Sequence, residues 1–123
     1  MIFDHIGFNV SDFPKSKEFY LKALAPLGIG IIMEGEGWAM MGKNSKPQFW
    51  FGSFGSSPGP IHIAFAAENR EQVRQFYTAA LATGGNDNGA PGVREQYHPH
   101  YYAAFVIGPE GHNIEAVCHK AEA

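Results

Sequence analysis

The sequence predicts an α+β fold built from two tandem βαβββ modules that form a cup-shaped mixed sheet with the helices on the outside. Three observations predict it. Residues 5–24 (HIGFNVSDFPKSKEFYLKAL) and 62–81 (HIAFAAENREQVRQFYTAAL) match without a gap at His5/His62, Ile6/Ile63, Phe8/Phe65, Phe19/Phe76, Tyr20/Tyr77, Ala23/Ala80 and Leu24/Leu81. Ordinary residue usage gives only about one or two such coincidences in a stretch of this length, so one supersecondary unit occurs twice. Each copy also passes from period-two to helical periodicity, and short strand patterns broken by turn residues follow each helix.

In the first copy, IFDHIGFNV (2–10) alternates, with Ile6, Phe8 and Val10 on one face and His5, Gly7 and Asn9 on the other. Ser11 or Asp12 offers an N-cap and Pro14 suits the first turn. Phe19/Tyr20, Ala23/Leu24 and Leu27 then fall at helical spacing up to Gly28. Strands are expected over 29–34, 37–42 and 47–53. In the second copy, Ile61, Ile63, Phe65 and Ala67 oppose His62, Ala64 and Ala66, and Asn69 with Gln72 forms a capping-box pattern. Residues 84–100 (GGNDNGAPGVREQYHPH) read mostly as a long loop with a short strand near 93–96. Strands over 101–108 and 112–119 follow, joined by Gly108–Gly111. The chain divides as a single domain over 1–123, with module 1 at 1–53, a linker at 54–59 (within SFGSSPG) and module 2 at 60–119.

Composition narrows the function. A chain of 123 residues, 45% hydrophobic and 17% charged, can bury a core. Its net charge of −3 and scattered Lys and Arg give no footprint for nucleic acid. No run suits a membrane span, and MIFDHIGFNVSDF has no leader pattern. One cysteine, Cys118, excludes an intrachain disulfide. The expectation is a cytoplasmic protein without nucleic-acid or membrane partners.

The apolar faces of the first strands belong under the helices, which leaves His5 and His62 on the concave face. In the last strand, NIEAVC, Ile114, Ala116 and Cys118 alternate with Asn113, Glu115 and Val117, so Glu115 faces the cup. A carboxylate within an apolar strand needs a partner. Two His and one Glu form a facial donor set for one divalent metal ion, with positions left open for water or substrate. Trp50, Tyr97, His98, His100 and Tyr102 are the candidate substrate-binding residues, the last four in or beside the long loop, where binding residues concentrate. His112 and His119 are assigned to an exposed turn and the chain end, and Cys118 to an inert place under the helices.

HIGFNV, KEFYLKAL, HIAFAA and above all YYAAFVIGPEGHNIEAV resemble the vicinal oxygen chelate superfamily of glyoxalase, bleomycin resistance and dioxygenase proteins, over essentially the whole chain. The resemblance implies metal ligands at the first and fourth strand positions of each module: His5, His62, Glu115 and a fourth position. Ligands come from either module and, in many members, from across a homodimer interface. Setting KPQFW against NIEAV places Gln48 opposite Glu115, where glyoxalase I-like members carry a carboxylate; a slip of one would place Phe49 there. Gln48 could ligate through its carbonyl but could not act as a base. The expected function is a metal-dependent, glyoxalase-like lyase or isomerase in which Fe, Mn, Zn, Ni or Mg chelates vicinal oxygens of a small-molecule substrate and Glu115 is both ligand and base. The alternatives are an extradiol-type dioxygenase using His5, His62 and Glu115 as its iron triad, and a metal-free antibiotic- or metabolite-binding protein.

Overall fold

A computed structural model describes residues 3–121; Ile2, at the head of the first expected strand, lies outside the described residues. The elements run β1 (Ile6–Asn9), α1 (Phe13–Leu24) with a 3-10 turn (Ala25–Leu27), β2 (Gly30–Gly35), β3 (Trp38–Lys43), β4 (Lys46–Gly52), β5 (His62–Ala66), α2 (Arg70–Ala82), β6 (Asn86–Val93), β7 (Tyr102–Ile107) and β8 (Asn113–Cys118). They make two mixed four-stranded sheets of the same topology, β1-β4-β3-β2 and β5-β8-β7-β6. The tandem βαβββ fold is therefore present, with the strands divided between two sheets that are not closed into one.

Local chemistry explains the helices. Asp12 is the N-cap of α1, its Oδ1 accepting from Lys15 N at 3.1 Å. Ser16, Phe19, Tyr20, Ala23 and Leu24 form its buried stripe, and Gly28 ends the turn that follows at φ 79°, a conformation glycine takes without penalty. In α2, Asn69 Oδ1 accepts from Gln72 N at 2.8 Å while Gln72 Oε1 accepts from Glu68 N at 2.8 Å, a reciprocal cap.

Both modules feed one core. Phe19 of α1 lies beside Gly85 and Gly108, where an added Cβ would come within 2.9 and 3.3 Å of its ring. Phe49 of module 1 meets Phe65 of module 2 edge to face at 5.4 Å. Burying a ring such as Phe19 is worth roughly 2–3 kcal/mol, so these crossings bind the copies together. A second tie is polar. Both oxygens of Glu110, in the β7–β8 turn, accept from Ser11 Oγ (2.8 and 3.1 Å), and the same carboxylate takes the amides of Ser11 and Asp12 at 3.1 Å.

Two expectations are corrected. Residues 86–93 form a strand pairing with β7, with register shifts between Asp87 and Gly89 and between Gly89 and Gly92. Its Asn, Asp, Gly and Pro content hides it from a propensity reading; as an edge strand it tolerates Pro91. Gly89 and Gly92 make room for the Arg94 guanidinium, which an added Cβ would approach within 3.1 and 2.9 Å. His112 is not exposed: it is fully buried, its ring 4.9 Å from that of Phe8, and its Nδ1 accepts from Ile61 N at 3.2 Å.

Candidate metal centre

Alternation puts the donors of module 2 on the face away from the core. β5 and β8 run parallel with His62 beside Asn113 and Ala64 beside Glu115, while Phe105 of β7 stands on the other side of Glu115. Glu115 is 1% exposed, whereas about half of the His62 side chain is exposed. His62 Nε2 lies 2.9 Å from Glu115 Oε1, and its Nδ1 donates to the Asn113 carbonyl at 3.1 Å. Because a carbonyl only accepts, that bond fixes the proton on Nδ1 and turns Nε2 toward the carboxylate. Glu115 Oε2 accepts from the hydroxyl of Tyr101. Burial first, then the hydrogen bond and the negative charge of Glu115, hold the Tyr101 phenol protonated well above its usual range.

These donors suit a metal ion. Two donors at about 2.1 Å from one ion and about 90° apart lie about 3.0 Å from each other, close to the His62–Glu115 separation. The Nδ1 bond of His62 is the kind of outer contact that orients a ligating imidazole. His5, immediately before β1, is arranged alike: its Nδ1 is 2.7 Å from Asp4 Oδ1, which leaves Nε2 outward. His5 and His62 both line a hollow of about 330 Å³ together with Gln48 and Ala64. Among the described residues, however, no three His, Cys, Asp or Glu side chains gather into a metal-binding group. The chain brings together His62 and Glu115 and leaves His5 at the rim.

The ladders also revise the fourth position. Ile6 pairs with Phe49 and Gly7 with Trp50, as Ile63 pairs with Ile114 and Ala64 with Glu115. The counterpart of Glu115 is therefore Trp50, and that of Asn113 is Gln48. Trp50 lies on the cup side of module 1 beside Gly7 and Met40, its ring nearly parallel to that of Phe54 (19°, centroids 6.1 Å apart). An added Cβ at Gly7 would come within 2.9 Å of the indole, so glycine there lets the ring lie close to the strand.

The remaining candidates separate. His98 stands beside the cup of module 2: its Nδ1 accepts from His100 N at 3.0 Å, so its Nε2 donates to His119 Nδ1 at 2.7 Å. Tyr97 is exposed with its ring against Tyr101 (4.9 Å), and His100 is exposed. Tyr102 turns the other way. It is buried against α2, with its hydroxyl accepting from Arg74 Nη1 at 3.2 Å and the Arg70 guanidinium 4.9 Å from its ring, which removes it from the pocket. Tyr101, which the sequence places beside the long loop at the start of the strand expected over 101–108, is the tyrosine that reaches Glu115. Adjacent tyrosines at a strand entry point to opposite faces, and only the register of β7 decides which is which. Cys118 is buried, as expected.

Fold and site together define a duplicated βαβββ chain with a histidine–carboxylate pair on one of its two cupped faces. The sequence profile of the Glyoxalase/Bleomycin resistance protein/Dioxygenase superfamily matches residues 2–116, and the chain belongs to that superfamily. Among solved structures it is similar to a glyoxalase/bleomycin resistance protein from Albidiferax ferrireducens T118, at 27% identity and a TM-score of 0.80, over 96% of this chain and 98% of that one. A glyoxalase/bleomycin resistance protein/dioxygenase family enzyme from Burkholderia phytofirmans PsJN shares the fold at 17% identity and TM-score 0.73, over 95% and 98% of the two chains. So does a glyoxalase-related enzyme from Fulvimarina pelagi, at 15% and 0.70, over 92% and 84%. No curated protein matches the sequence.

Proposed function

We propose that the chain is a metal-dependent small-molecule enzyme, a glyoxalase-like lyase or isomerase that chelates vicinal oxygens of its substrate. The observation that carries this reading is the buried Glu115 carboxylate facing His62 Nε2 at 2.9 Å, with the other imidazole nitrogen already engaged. His62 and Glu115 hold one divalent ion of the Fe, Mn, Zn, Ni or Mg group, and His5 of a second copy completes the donor set in a homodimer. The exposed Phe3 and Ile6 on either side of His5 suit such an interface. The bound metal supplies Lewis-acid polarisation of the substrate oxygens. Glu115 is the base within reach of a carbon beside them, and Trp50 with Phe54 offers a flat wall for the apolar part of the substrate. His98, Tyr97 and His100 flank the opening. A cytoplasmic setting accords with a single buried thiol, and among the described residues no helix is long and apolar enough to cross a membrane.

One observation favours a second reading. With Trp50 where a second carboxylate would stand, the donor set is two imidazoles and one carboxylate, the set of iron-dependent oxygenases, so extradiol cleavage of a catechol is the alternative reaction.

Subunit mixing tests the site. Protein purified without chelator should hold a near-stoichiometric metal that both His5→Ala and Glu115→Ala lose. Mixing the two variants should restore about one quarter of the wild-type content, because half the dimers are mixed and each rebuilds one of two sites. Wild-type protein that neither carries nor takes up metal would overturn the proposal. Bound iron with oxygen-dependent catechol cleavage would select the second reading.

A further inference from the structure

The metal reading leaves one feature of the cup unused. Glu115 has two oxygens, and a carboxylate can ligate through one or both. Here they are treated differently: Oε1 faces His62, whereas Oε2 accepts from the Tyr101 hydroxyl. Tyr101 is itself held on several sides. Its amide donates to the His98 carbonyl at 3.1 Å and its carbonyl accepts from Arg94 N at 2.7 Å. Its ring stands edge to face against His98 (5.5 Å, 79°) and against His119 (5.2 Å, 86°), and those imidazoles are bonded to each other. A phenol fixed in this way keeps its hold on one lone pair of Oε2 and leaves the other for a substrate proton.

We infer that Tyr101 is a positioning residue: by occupying Oε2 it makes Glu115 a one-oxygen ligand and keeps one metal position open for substrate. The inference rests on the proposed binding of metal by His62 and Glu115. The His98–His119 pair acts one step further out, as the clamp that aims the phenol. This gives His98 a task other than touching substrate, and it explains why a buried carboxylate in this cup faces a tyrosine as well as an imidazole.

The test uses full-length protein loaded with Co(II), whose visible absorption reports coordination number, with affinity measured by calorimetry. Wild type, Tyr101→Phe, His98→Ala and His62→Ala are compared. Tyr101→Phe keeps the ring and removes only the hydroxyl. It should weaken Co(II) binding by about tenfold, at the lower end of losses for outer-shell partners. Its absorption should also weaken as the freed Oε2 joins the metal and coordination rises. His98→Ala keeps the hydroxyl and loosens the ring, so it should shift the spectrum in the same direction by less. Metal-free Tyr101→Phe should still unfold cooperatively, about 4–8 °C below wild type, because the buried Glu115 loses one hydrogen-bond partner. Unchanged affinity and spectrum in Tyr101→Phe, beside loss of binding in His62→Ala, would reduce Tyr101 to packing and overturn the inference alone. Wild-type binding in His62→Ala would overturn the metal reading beneath it.

Discussion

The tie between Glu110 and the start of α1 allows a quantitative prediction, because three donors from module 1 converge on one carboxylate of module 2: the amides of Ser11 and Asp12 and the Ser11 hydroxyl. Glu110→Ala removes the acceptor and leaves those donors near enough to the surface to find water. The cost therefore resembles a lost helix cap, at most about 2 kcal/mol, rather than the sum of three charged hydrogen bonds. For a chain of 123 residues, a loss of about 2 kcal/mol lowers the thermal midpoint by about 8 °C. The effect also carries a pH signature. Burial acts to raise the Glu110 pKa, but the hydrogen bonds from Ser11 and Asp12 outweigh it and the net shift is downward. A carboxylate lowered in the fold contributes stability that is complete above its ordinary value of 4.5 and is lost as pH falls through the folded value. The assay is urea unfolding of wild type, Glu110→Ala and Glu110→Gln at pH 7 and at steps below pH 4.5. Wild type should lead by the largest margin at pH 7 and converge on Glu110→Gln in acid. A margin under about 0.5 kcal/mol at pH 7, or one that acid leaves unchanged, would refute the account.

Two further outcomes follow from buried contacts. Burial pushes the His112 imidazole below its usual pKa of 6.5, with Glu110 pulling partly back, and its Nδ1 is taken by the Ile61 amide. The neutral form is therefore favoured in the fold, so stability should be whole above pH 6.5 and decline below it, by at most about 1.4 kcal/mol per pH unit. His112→Asn should flatten that slope between about pH 6.5 and 5, above the Glu110 range, and urea midpoints across the interval check it. Gly7→Ala would bring a Cβ within 2.9–3.1 Å of the Trp50 side chain and carbonyl. It should cost about 1 kcal/mol and tilt the indole, read as altered near-ultraviolet dichroism with metal content unchanged.

Much of this arrangement was legible because it repeats or alternates. The duplicated HI-x-F put His5 and His62 at corresponding places, of which His62 meets Glu115 and His5 meets Asp4, and strict alternation in NIEAVC put Glu115 on the cup and Cys118 beneath it. What escaped has physical reasons. Gln48 and Trp50 are two residues apart, so both face the cup and a period-two reading cannot choose between them; the β1–β4 ladder can. Tyr101 and Tyr102 exchange roles with a one-residue change of register. β6 uses glycines to seat Arg94 rather than β-branched residues to fill a face. His112 is buried by Phe8 from the other module, a contact that no local pattern announces. The meeting of His98 with His119 likewise depends on a loop folding back across β8.

The place of Trp50 opposite Gly7, mirroring that of Glu115 opposite Ala64, divides the chromophores between the modules. The sequence has two tryptophans, Trp38 and Trp50, both in module 1, whereas Tyr101 stands beside the donors of module 2. Red-edge excitation therefore interrogates one cup and leaves the other dark. A flat ligand settling on module 1 would register in indole emission, and an ion arriving between His62 and Glu115 would register first in the phenol absorption of Tyr101. The two copies thus carry separate optical channels, and in unlabelled protein the responses to an added divalent ion and to an added flat ligand would be timed apart.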